Sequence, residues 1–143
     1  MKKKIIICVL CFAAILGLTG CGKTEEKVKV NKEYQKYIDA IRKGEASAYM
    51  GSYTVGELFD NALTDSSWDQ YTKAIAGGTK KILISVKGNN KFEKDEVVEV
   101  VYEVNKESLD YTFYTMLVNG EKGGNLMSLM KKSADDLDSQ KQK

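Results

Sequence analysis

The sequence predicts an α+β domain in which two N-terminal helices pack on a four-stranded antiparallel sheet, followed by a short C-terminal helix. Three observations predict it. Apolar residues recur at helical spacing in two early segments. Four later segments have the length and alternation of strands and are joined by short polar links, so neighbours should pair antiparallel. A Leu/Met-rich stretch near the end then resumes the helical period. The domain is expected to span 31–132, with 1–30 leading into it and a polar tail, 133–143, expected to fray.

Taken in order, Asn31 can cap a helix whose apolar positions Tyr34, Tyr37, Ile38 and Ile41 share one face, and Gly44 stops it. Thr54-Val55-Gly56-Glu57 is a capping box, in which threonine and glutamate each satisfy an orphan amide. Val55, Leu58, Phe59 and Ala62 form the buried stripe behind it. Trp68–Ile75 and Thr79–Lys87 read as strands around Gly77-Gly78, a pair suited to a tight turn. Trp68, Tyr71 and Ile75 would also suit a helix. Glu96–Val104 alternates Val98, Val100, Tyr102 and Val104 against Glu99 and Glu103. Asp110–Val118 is rich in aromatics and threonine and ends at Asn119-Gly120. Asn125–Lys132 presents Leu126, Leu129 and Met130 on one side of the last helix.

The first thirty residues are of another kind. Lys2, Lys3 and Lys4 precede an apolar run, Ile5–Leu18, which is the pattern of an export signal over 1–20. As a helix that run spans only ~21 Å, short of the ~30 Å hydrocarbon core. It ends in Leu18-Thr19-Gly20-Cys21, which resembles the lipobox of bacterial lipoproteins. The resemblance implies a diacylglycerol on the Cys21 thiol and cleavage just before it. Residues 21–30 then form a tether reaching at most ~35 Å. The domain is thereby expected on the outer face of the cytoplasmic membrane, held at the cell membrane by its lipid. Cys8 and Cys11 leave with the signal, so neither a free thiol nor a disulfide remains and stability must come from a core. Cleavage leaves 19 basic against 20 acidic residues, no basis for nucleic-acid binding.

Several motifs invite chemistry and fail on context. Gly17–Thr24 fits the G-x(4)-G-K-T phosphate loop, but a signal leads in and a tether follows, and cleavage before Cys21 would split it, so no nucleotide is expected. Ser128-Leu129-Met130-Lys131 fits S-x-x-K without its companion motifs. Histidine is absent, which removes the commonest general base and metal ligand. Asp60, Asp65 and Asp69, and Glu93, Asp95 and Glu96, lack the glycine-punctuated spacing of a calcium loop. The expectation is therefore no catalytic residue, no metal and no cofactor beyond the covalent diacylglycerol.

Val55-Gly56-Glu57-Leu58-Phe59-Asp60-Asn61, then Trp68, Phe113…Leu117, Asn119-Gly120 and the closing Leu/Met helix together resemble a group of small Gram-positive surface lipoproteins of unassigned function. More loosely, two helices on four antiparallel strands are similar to one half of the β-lactamase inhibitor protein. The likeness covers 31–132, implies the same fold and brings no active site. The inhibitor has a tandem pair of such units and disulfides; this chain has neither.

Strict alternation on the last strand would put Tyr111, Phe113, Thr115 and Leu117 on one face and Thr112, Tyr114, Met116 and Val118 on the other. Helices need cover only one face of such a sheet, with Ile82, Ile84, Val86, Val98, Val100, Tyr102 and Val104 as the covered rows. Tyr114 with Met116, or Tyr111 with Phe113, should then lie on the open face as a contact surface. These features imply a noncatalytic, membrane-anchored domain binding a protein or peptide partner, with immunity or exclusion as a role that suits it. The alternative is a small carboxylate-based hydrolase of cell-envelope polymers. Replacing Cys21 with Ala is expected to abolish lipid labelling and block lipoprotein-type cleavage; unchanged labelling would contradict the lipobox reading.

Overall fold

In the computed structural model, which describes residues 28–46, 50–72 and 80–142, Asn31 opens the first helical segment as its sequence suggests. Its side chain accepts from the Glu33 amide; a 3₁₀ turn, Lys32–Tyr34, leads into α1, Gln35–Arg42. The second helix, α2 (Val55–Ala62), carries both hydrogen bonds of the Thr54–Glu57 capping box. Cys21, the signal, most of the tether and the Gly77-Gly78 turn lie outside the described residues.

The chain is α+β, with a six-stranded mixed sheet in the order β1 to β6. Four longer strands, β2 (Leu63–Gln70), β3 (Lys81–Asn90), β4 (Val97–Asn105) and β5 (Tyr111–Val118), are antiparallel in sequence order. Two-residue strands add to the outer edges. β1 (Lys29–Val30) lies parallel to β2, and β6 (Glu121–Lys122) folds back on β5 through Asn119-Gly120, both at positive φ. The expected four-stranded sheet is thus extended at both ends by segments too short to show a period. β2 also starts earlier than expected, directly after Ala62. Its opening residues, Leu63-Thr64-Asp65-Ser66, are mostly polar and include a register shift, with Asp65 at φ 52°, so alternation is lost there.

The helices cover one face, where Ile82, Ile84, Val86, Val98, Val100, Tyr102 and Val104 meet Ile38, Ile41, Leu58 and Phe59. These are the sheet rows expected to be covered. Gly88 faces the irregular part of β2 so closely that an added Cβ would meet Leu63 Cβ at 2.9 Å and the Thr64 carbonyl at 3.0 Å. Only a glycine leaves room for that backbone approach.

The last helix, α3, runs Leu126–Lys141 and corrects both the expected stop at Lys132 and the frayed tail. Ser133, Ala134 and Leu137 continue the inward stripe of Leu126, Leu129 and Met130. The buried Ser133 hydroxyl donates to the Leu58 carbonyl at 2.7 Å, and Tyr53 Oη donates to Asp138 at 2.6 Å. Asp136 accepts from Lys91, Asn61 and Gln140, tying α3 to α2 and to the turn after β3. Small and charged residues disguise this turn of helix as a tail.

A chain ending at Lys132 is therefore expected to lose ~2 kcal/mol or more, about 10 °C in melting temperature, relative to one ending at Gln142. Equal melting temperatures would contradict the docking of α3. Gly88→Ala is expected to cost about 1–3 kcal/mol through overpacking, read as a lower denaturant midpoint at unchanged slope.

Candidate binding surface

The geometry of β5 is set by one extra residue. Val98, Val100 and Val101 pair with Val118, Met116 and Thr115, but Tyr102, Glu103 and Val104 pair with Phe113, Thr112 and Tyr111. Tyr114 is left without a partner on β4, as the additional residue of a β-bulge. Facing reverses there. Met116 and Val118 lie on the helix-covered side beside Val100 and Val98, and so do Tyr111 and Phe113 beside Val104 and Tyr102.

Of the pairs expected on an open face, the bulge separates Tyr114 from Met116, while Tyr111 and Phe113 stay on one side, the helix-covered one, and differ only in exposure. Met116 is only 7% exposed and belongs to the core, under α3. Tyr111 is half-buried against the core, with its hydroxyl pressed on Gly44 at the end of α1. Phe113 and Tyr114 are exposed, at 49% and 42%. The sheet face away from the helices carries polar pairs over an apolar layer. Lys81 pairs there with Glu103 at 3.3 Å and Ser85 donates to Glu99 at 2.9 Å, over buried Leu83, Val101 and Leu117.

Phe113 is the outer end of a line of edge-to-face aromatic contacts. Trp68 meets Phe59 at 5.8 Å between ring centroids, Phe59 meets Tyr102 at 6.3 Å, and Tyr102 meets Tyr111 at 5.6 Å and Phe113 at 6.4 Å. Such contacts each add about 0.5–1.5 kcal/mol to area burial and hold the outer rings on a rigid base. At the inner end, Arg42 stacks over Trp68 at 5.7 Å and holds both Asp60 oxygens at 2.8 Å.

The same edge carries open backbone groups. The Asn105 amide donates to the Asp110 carbonyl, so Asp110 and Thr112 face β4 while Tyr111 and Phe113 face outward. At the far end Met116 and Val118 face outward and are taken by Gly123 and by β6. Among the described residues no strand pairs with the outer side of Tyr111–Thr115. The whole of β5 is uncharged, although edge strands are commonly protected by charge.

Other candidate chemistry is structural or dispersed. A groove of about 450 Å³ lies where α2 passes into β2, lined in part by Asp60, Asp65 and Lys91. Asp60 is engaged by Arg42, and Lys91 by Asp136 at 2.8 Å. Hydrogen bonds from Lys91 and Asn61 hold the Asp136 carboxyl below its ordinary range, the direction opposite to that of a general acid. Asp69 accepts from Asn31 and Glu96 from Asn90. Ser128 and Lys131 are exposed on α3, and Lys131 turns to Asp135 at 3.3 Å. Among the described residues no group of three or more His, Cys, Asp or Glu could hold a metal, and no helix is long and apolar enough to cross a membrane.

Burial pushes the Tyr102 hydroxyl far above its ordinary pKa, with Tyr111 adding to the shift. The unfolded chain releases this proton first, so its contribution is complete below pH ~10 and declines as pH rises beyond that. Tyr102→Phe is therefore expected to flatten the alkaline fall in melting temperature; an unchanged fall would contradict the burial of that hydroxyl. No family model matches the chain, and neither a curated protein nor a solved structure similar to it was found.

Proposed function

We propose that this chain is a noncatalytic binding domain, anchored by a lipid on Cys21 outside the cytoplasmic membrane, that contacts a protein or peptide through Phe113 and Tyr114. The observation that carries the binding reading is an exposed aromatic pair on an uncharged sheet edge, backed by the rigid line of rings from Trp68. Aromatic side chains presented this way supply most of the energy at protein contacts, because they bury large area at little entropic cost. The export signal, the lipobox and the likeness to small surface lipoproteins support the location. Immunity or exclusion at the membrane would suit a domain on so short a tether.

The test is site-specific photocross-linking in the producing cell, with a benzophenone side chain at position 114 or, for comparison, at exposed Asp135. A discrete adduct from position 114 alone is expected. Phe113→Ala with Tyr114→Ala should weaken capture of that adduct's partner by ~2 kcal/mol or more, while the fold stays intact and the melting temperature falls only by the roughly 5 °C that loss of the Phe113–Tyr102 contact implies. Adducts of equal pattern from both positions, or a double variant that simply unfolds, would contradict the reading.

A further inference from the structure

We infer that the outer edge of β5 pairs with the same edge of a second copy of this chain, antiparallel about a two-fold axis at Thr112. Two outward-facing residues, Tyr111 and Phe113, have no partner strand among the described residues, while β6 closes the edge beyond them. In an antiparallel ladder, a residue that faces outward exchanges both backbone hydrogen bonds with a residue that also faces outward. Only one self-pairing uses both: Tyr111 opposite the other copy's Phe113, Phe113 opposite its Tyr111, and Thr112 opposite Thr112. A register centred on Phe113 would set Tyr111 against Thr115, which faces β4.

The side chains fit this register. On the helix side it sets an aromatic ring against an aromatic ring, and on the other side threonine against threonine, both favourable cross-strand pairs. No charge on β5 opposes it. The opposite edge of the sheet is taken at Ser67 and Trp68 by β1, with Asn31 bonded to Asp69, which leaves no run of β2 there for β5 of the next copy to match in this register. A pairing of like edges about a two-fold closes as a dimer rather than growing into a fibre. The described chain begins at Val28, beside β1 on that far edge, so the two N-terminal segments leave from opposite ends of the joined sheet. Phe113 and Tyr114 of both copies then lie along one seam. The pairing joins only three residues of each strand, a short contact that suits copies concentrated on one surface. Neither the register nor its test depends on the anchoring or on a foreign partner.

Sedimentation equilibrium of the full chain in detergent micelles tests it, over a concentration series. Wild type should pass reversibly from monomer to dimer. Thr112 is exposed, so Thr112→Lys should fold normally, checked by its melting curve, and lower the association constant at least about tenfold by setting like charges opposite each other. Thr112→Glu should do the same, and an equimolar mixture of the two variants should restore the dimer. A wild type that stays monomeric would leave the edge to a foreign strand and overturn the inference. Dimerisation undiminished in Thr112→Lys, or a mixture that stays monomeric, would overturn the register.

Discussion

Tyr114 is one residue more than the β4–β5 ladder can hold, and much of the molecule's surface follows from that mismatch. On either side of it β5 turns alternate side chains toward the helices. Met116 and Val118 do so at one end and Tyr111 and Phe113 at the other. Four large residues of an eight-residue strand thus favour the helix side, and the helices do not cover them equally. Met116 lies beside Leu129 of α3 and Tyr111 meets the end of α1, whereas Phe113 stays half exposed. The exposed aromatic pair is the consequence of a register constraint rather than of an unpartnered sheet face.

Much of the architecture was legible in the residues. Asn31, the Thr54–Glu57 box, the alternation from Val98 to Val104 and the Asn119-Gly120 turn each act locally, and each appears where the sequence places it. The bulge at Tyr114 was not legible. A bulge without glycine carries no local mark, and both parities of YTFYTMLV are apolar, so alternation gave no warning of the switch. The rows on β3 and β4 were readable because their outward alternates include Lys87, Glu99 and Glu103. The two edge strands have too few residues for a period. The end of α3 was hidden for another reason: serine, aspartate and lysine in 131–141 have a tail's composition, while their spacing still places Ser133, Ala134 and Leu137 inward.

The two ends of the described chain do different work. The N-terminal strand β1 closes the β2 edge, and Asn31 both caps the 3₁₀ turn and bonds Asp69, so entry into the domain is held firmly. The C-terminal helix supplies part of the core and a polar clamp centred on Asp136. With no cysteine after Cys21, the domain is held by such contacts rather than by disulfides. Among the described residues, Tyr111–Thr115 of β5, on the side away from β1, has no partner strand.

Hydroxyl-radical footprinting of the intact chain tests the register of β5 most directly, because strict alternation would place Tyr114 and Met116 on the same face. Methionine is intrinsically the easier of the two to oxidise. Met127, 52% exposed on α3, and buried Met130 calibrate the two extremes within the same molecule. At concentrations where the chain is monomeric, the bulged register requires Tyr114 and Phe113 to be modified readily while Met116 is protected like Met130. Oxidation of Met116 at the rate of Met127, with Tyr114 protected, would show that the alternation is unbroken and contradict the account.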